Sequence, residues 1–190
     1  ANIALSLDKN SAEAYNHRGN AKKGLNDHIG AISDYTNAIN INSKAASYYY
    51  NRAYSKDELE DYTGAISDYT RAIKINPNKE NYYFNRAYSK QNLEDYTGAI
   101  SDYTRAIKIK PKATTYFNRA LTKYELADYI GAISDNTRAI KINPNYTNAY
   151  VNRGVLRNRN NDLKGACSDW RKASRLGYSK AEKWVENQCD

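Results

Sequence analysis

Four asparagines recur at near-constant spacing: Asn51, Asn85, Asn118 and Asn152 stand 34, 33 and 34 residues apart. A primary amide both donates and accepts, so it matches the C=O and N–H of a peptide. A row of such groups holds an extended backbone with little regard to its side chains. Aromatics accompany the row. Tyr50, Phe84 and Phe117 each precede an asparagine, and Tyr54 and Tyr88 follow Asn51 and Asn85 by three residues; they offer apolar contact and side-chain preference. Catalytic chemistry has no comparable set. His17 and His28 lack a second ligand at metal spacing and read as structural. There is neither a glycine-rich phosphate loop nor a nucleophile elbow. The sequence therefore predicts no enzyme, no metal and no cofactor.

The elements that carry these residues are copies of one another. Tyr48 to Asn78 recurs 34 residues later as Tyr82 to Lys112, with only positions 50/84, 57/91, 58/92, 76/110 and 78/112 changed. A Gly-Ala pair recurs at residues 30, 64, 98, 131 and 165. Each copy holds two amphipathic helical patterns, a pair that needs neighbours to bury its apolar face. Asp27, Asp61, Asp95, Asp128 and Asp162 suit the N-cap of each second helix. Ala65, Ile66, Tyr69, Ala72 and Ile73 show its one-sided stripe, and Pro77, Pro111 and Pro144 close it.

This pattern resembles the tetratricopeptide repeat (TPR). With each repeat numbered 1–34, an aromatic stands at position 4 (Tyr15, Tyr49, Tyr83, Tyr116, Tyr150), a small residue at 8 (Gly19, Ala53, Ala87, Ala120, Gly154) and alanine at 27 (Ala38, Ala72, Ala106, Ala139, Ala173). Two departures stand out: position 11, usually Tyr, is Lys22, Lys56, Lys90, Lys123 and Arg157, and position 24 is Asn136 in the fourth repeat. The C-terminal stretch GACSDWRKASRLGYSKAEKWVENQC is similar to the ends of cyanobacterial TPR proteins.

The resemblance implies an all-α, right-handed superhelical solenoid of antiparallel helix pairs with a C-terminal capping helix. The boundaries read from it are 1–11, the tail of a preceding repeat's second helix; five repeats at 12–45, 46–79, 80–112, 113–146 and 147–177; and a cap at 178–190. It further implies a concave groove lined by the first helices, and a scaffold that binds an extended segment of an unknown protein or peptide there. Asn51, Asn85, Asn118, Asn152, Tyr50, Tyr54, Phe84, Tyr88 and Phe117 form the expected site. That row is similar to the asparagine ladders of peptide-holding family members; asparagine is also simply favoured at position 6 in the family, and that alternative stays open. The family's carboxylate clamp is rejected: Asn20 and Asn51 match it, but Asn16, Asn81 and Asn85 stand where its cations belong.

Other features bound the reading. The net charge of +8 fits an acidic partner or simple solubility. A basic stripe on the second helices (Arg71, Lys74, Arg105, Lys108, Arg138, Lys141, Lys172, Arg175) keeps nucleic-acid binding as the alternative function, disfavoured because the aromatics lie elsewhere. No apolar run approaches the ~18 residues of a membrane span. The chain reads as a piece of a longer protein, with self-association through its N-terminal end open, as is a purely structural role. Arg18, Arg52, Arg86, Arg119 and Arg153 each precede an aspartate by 16 residues, which predicts a structural ladder of ion pairs, within a repeat or across to the next, each contributing little where exposed. Asn136, where other repeats have Tyr35, Tyr69, Tyr103 or Trp170, predicts a loose joint or a watery pocket. Ser179 and Glu182 form a capping-box pattern. Counted outward from Gly177, Cys167 and Cys189 lie nearly level on an antiparallel hairpin, which predicts a disulfide; a buried Cys167 beside a fraying Cys189 is the alternative. Bonded, the pair points to a periplasmic, lumenal or secreted protein; free, it leaves the cytoplasm open.

Overall fold

The computed structural model describes residues 10–189, so the expected helix tail at 1–11 lies almost wholly outside the described residues. Eleven helices and no strand occur among them. They are α1 (Ala12–Gly24), α2 (His28–Ile41), α3 (Ala46–Asp57), α4 (Tyr62–Ile75), α5 (Glu80–Asn92), α6 (Tyr96–Ile109), α7 (Ala113–Glu125), α8 (Tyr129–Ile142), α9 (Thr147–Arg159), α10 (Leu163–Arg175) and α11 (Ser179–Gln188). The chain forms two compact bodies, an N-terminal one to Asp102 and a C-terminal one from Tyr103.

Each hairpin is built the same way. The turn residue at position 15 takes a left-handed conformation, at Asn26, Glu60, Glu94, Ala127 and Asn161. The aspartate that follows caps the second helix: Asp27, Asp61, Asp95, Asp128 and Asp162 each accept from the backbone N–H of the glycine three residues on, at 2.9 Å. A Cβ on that glycine would meet the capping carboxylate at 2.1–2.2 Å, which accounts for the recurring Gly-Ala pair. The alanines beside it are fully buried and bring the helices together.

The arginine–aspartate ladder forms within each hairpin, but it is not an exposed one. Asp34, Asp68, Asp102, Asp135 and Asp169 are buried, at 1–5 % exposure. Each takes a two-pronged contact from its arginine, as in Arg52 Nε and Nη2 to Asp68 at 2.8 and 2.7 Å. The cation at position 11 completes the site: Lys22, Lys56, Lys90, Lys123 and Arg157 reach the same carboxylates at 2.8–3.0 Å. The lysine that departs from the family pattern is therefore the second counter-charge of a buried acid. Burial alone would raise the Asp34 carboxyl, yet hydrogen bonds from Arg18 and Lys22 outweigh it and hold the group below the usual carboxylate range. The arginines also stitch successive hairpins within each body, donating to Thr36 from Arg52, Thr70 from Arg86, Thr104 from Arg119 and Thr137 from Arg153.

Two further expectations need correction. Asn136 is fully buried and leaves no loose joint, because Leu156 from α9 fills the slot between Ala120 and Ala132 that a position-24 ring occupies elsewhere. Asn136 turns back to donate to the Ala132 carbonyl at 3.0 Å, and its Oδ1 is buried without a partner. The capping box is absent: the N-cap of α11 is Tyr178, with no side-chain cap bond. The cap's apolar face is as expected, with Ala181, Trp184, Val185 and Cys189 packed on Ala166, Trp170 and Ala173. Cys167 and Cys189 are bonded, with Cα atoms 5.6 Å apart. Gly177, at φ +92°, makes the turn that allows it.

Candidate functional site

The predicted site residues lie on first helices α3, α5, α7 and α9, and the two bodies use them differently. In the N-terminal body the amides are engaged internally. Asn51 Nδ2 donates to Asn16 Oδ1 and Asn85 Nδ2 to the Tyr50 hydroxyl, both at 3.0 Å. The Tyr50 ring packs on Tyr69 and Tyr82, with centroids 5.8 and 5.0 Å away. Asp57 is the hub of the same face, accepting from the Tyr69 hydroxyl at 2.7 Å and from Ser89 Oγ at 2.6 Å. Burial pushes the Asp57 carboxyl up, although these donors pull against it. Burial, then the Asp57 charge, pushes the Tyr69 phenol up as well. Tyr54 is raised chiefly by a hydrogen bond to Glu58, and Lys23 stacks over its ring at 5.3 Å. Tyr54 and Tyr88 remain 37 % and 47 % exposed.

In the C-terminal body the corresponding face is apolar. Phe117, Leu121 and Tyr124 from α7, Val151 and Val155 from α9, and Tyr178 ahead of the cap enclose a trough of about 390 Å³. Glu125, Asn148 and Asn152 supply its polar lining. Phe117 also packs on Tyr146, centroid to centroid 5.2 Å. Asn118 donates to the Thr114 carbonyl of its own helix at 2.8 Å. Asn152 is half-buried and its side chain makes no hydrogen bond among the described residues. Its counterpart Asn85 faces two hydroxyls, those of Tyr50 and Tyr69. The equivalent residues opposite Asn152 are Phe117 and Asn136, neither of which has one. The free amide is thus a consequence of two substitutions in the preceding repeat.

The predicted site did not include Leu121, Tyr124, Val151, Val155 or Tyr178. The change from aromatic to aliphatic at position 9 in the last two repeats and at position 5 in the last was the signal for Leu121, Val151 and Val155. Tyr178 was detectable as the counterpart of Tyr146, each standing just before a helix. Among the described residues there is no cluster of His, Cys, Asp and Glu fit to hold a metal, and no helix is long and apolar enough to cross a membrane.

Two family profiles, both described as tetratricopeptide repeat, match this sequence, one over residues 46–79 and the other over 12–44 and 80–112. The fold is similar to that of the protein MamA, at 19 % identity over 90 % of this chain and 94 % of that one, TM-score 0.83. It is also similar to YrrB, described as a TPR protein with an unusual peptide-binding site, at 19 % identity over 97 % of both chains, TM-score 0.82. Pseudomonas aeruginosa pilF is more distant, at 14 % identity over 87 % of this chain and 76 % of that one, TM-score 0.76. A search of curated protein sequences finds no significant match.

Proposed function

The chain belongs to the tetratricopeptide repeat family, and on that premise we propose that it is a non-catalytic interaction scaffold whose first-helix face binds extended segments of other proteins. TPR arrays serve protein–protein interaction, and a peptide-binding site is described for the similar fold of YrrB. One observation carries the reading here: large aromatics are left in solvent beside half-buried amides, as at Tyr54 and Tyr88 flanking Asn51 and Asn85. Exposed rings next to backbone-matching groups suit a peptide better than bulk water. The row Asn51, Asn85, Asn118 and Asn152, with Tyr50, Phe84 and Phe117, is the proposed contact set.

The second-helix cations support a nucleic-acid partner poorly, since Arg71 is itself stacked on Tyr49 at 5.9 Å and the exposed tyrosines Tyr54 and Tyr88 lie on first helices, away from the stripe. The disulfide supports an oxidising compartment, whether periplasmic, lumenal or extracellular. The test is side-by-side fluorescence anisotropy with a random decapeptide library and a 20-mer oligonucleotide at two salt concentrations. Peptide capture with little salt dependence is expected. Oligonucleotide binding with a steep salt slope and no peptide capture would contradict the proposal.

A further inference from the structure

We infer that the trough of the C-terminal body is a side-chain pocket for one large apolar residue of Leu or Phe size, with Lys or Arg next to it, in an extended peptide; the inference rests on the peptide-binding reading above. Three observations converge. The walls are apolar on both helices, from Phe117, Leu121, Val151 and Val155, and Tyr178 carries the wall onto the cap. The trough of about 390 Å³ falls at the lower end of the usual range for ligand sites, ample for one bulky side chain together with the backbone on either side of it. Within this lining Asn152 has an amide that nothing among the described residues satisfies, so it can donate to and accept from a backbone laid across the trough.

The charge of the occupant follows from Glu125. It is the one charged residue of the lining, it is exposed, and it makes no ion pair among the described residues. The nearby cation Arg159 is held over the Tyr124 ring at 5.3 Å. Attraction between opposite charges is screened over about 8 Å at physiological salt, so this local carboxylate, rather than the net charge of +8, sets the preference beside the pocket. Aliphatic and aromatic side chains transferred from water into such a lining supply the affinity, and the amide and the carboxylate fix register.

The test uses the intact chain and an immobilised positional-scanning library of unstructured decapeptides. The expected result is enrichment of Leu or Phe with Lys or Arg at a neighbouring position. Asn152→Ala should weaken the best peptide about tenfold, the effect of losing one or two backbone hydrogen bonds. Glu125→Lys, at an exposed position, should exchange the preference for Lys or Arg for Asp or Glu while the apolar preference stays. Melting curves establish that both variants are folded. Peptides retained with no apolar preference, or with affinities unmoved by both variants, would overturn the pocket and leave the scaffold reading standing. Retention of no peptide by the unaltered chain would overturn both.

Discussion

In the N-terminal body the slot between Ala53 and Ala65 is filled by the ring of Tyr69, from the second helix of the same repeat. In the C-terminal body the matching slot, between Ala120 and Ala132, is filled by Leu156 from the next repeat. The difference reaches the first-helix face. A tyrosine brings a hydroxyl to the end of its slot, and that hydroxyl must be satisfied. Asp57 accepts from it, Ser89 joins, and Asn85 is drawn into the same polar set. A leucine brings no polar atom. No network assembles around it, the face stays apolar, and Asn152 is left with its amide free. One frame thus yields an internally satisfied face and one that still has bonds to make.

The largest effect should come from Leu156. Leu156→Ser empties a fully buried slot and should destabilise the C-terminal body by about 2–5 kcal/mol, as core truncations do. Asn136→Tyr alone should also destabilise, by about 1–3 kcal/mol, because the slot is occupied. The double change Asn136→Tyr with Leu156→Ser rebuilds the N-terminal arrangement and should recover most of the loss. Urea midpoints measure all three. A double variant no better than Leu156→Ser would break the equivalence of the two slots.

The staple is next in size. The bond closes a loop between residues 22 apart and holds α11, whose start carries Tyr178 into the trough. Replacing both cysteines with alanine should cost the C-terminal body roughly 3 kcal/mol in the loop-entropy account. Hydrogen exchange should show faster opening of α10 and α11 and unchanged protection in α3 and α4. Equal effects in both bodies would contradict this localisation, and two free thiols in protein kept from reductant would remove the staple.

Exchanging single hydroxyls should have the smallest effect and the sharpest meaning. Tyr50→Phe removes one of the two hydroxyls that Asn85 faces and should cost about 1 kcal/mol, the net worth of one hydrogen bond. Phe117→Tyr offers Asn152 a hydroxyl, should leave stability within about 0.5 kcal/mol, and should weaken peptide binding at the trough. Urea titration and anisotropy with the best decapeptide read the two outcomes. Binding strengthened by Phe117→Tyr would mean that Asn152 is not a peptide contact.

The parts of this molecule that were legible in the sequence are those fixed within one repeat. The 34-residue copy, the Asp cap three residues before its N–H donor, the 16-residue Arg–Asp interval and the level placement of Cys167 and Cys189 are all local or periodic, and each appears in the structure. What sequence reading missed depends on burial or on neighbours in another repeat. Position 11 as a second counter-charge was hidden because Lys56 shows its role only once Asp68 is seen to be buried. Leu156 was hidden because the residue that fills the Asn136 slot lies in the following repeat. The inequality of the four asparagines was hidden because nothing about residue 152 itself marks its amide as free; residues 117 and 136 decide that.

The central claim is that the peptide's apolar residue sits between α7 and α9. The direct measurement is photocrosslinking with the selected decapeptide carrying benzoylphenylalanine at the apolar position, followed by mass mapping of the adducts. The account predicts adducts on Leu121, Val151 or Val155 in the unaltered protein and their loss on competition with unlabelled peptide. Adducts concentrated on α3 and α5 around Tyr54 and Tyr88 would contradict it.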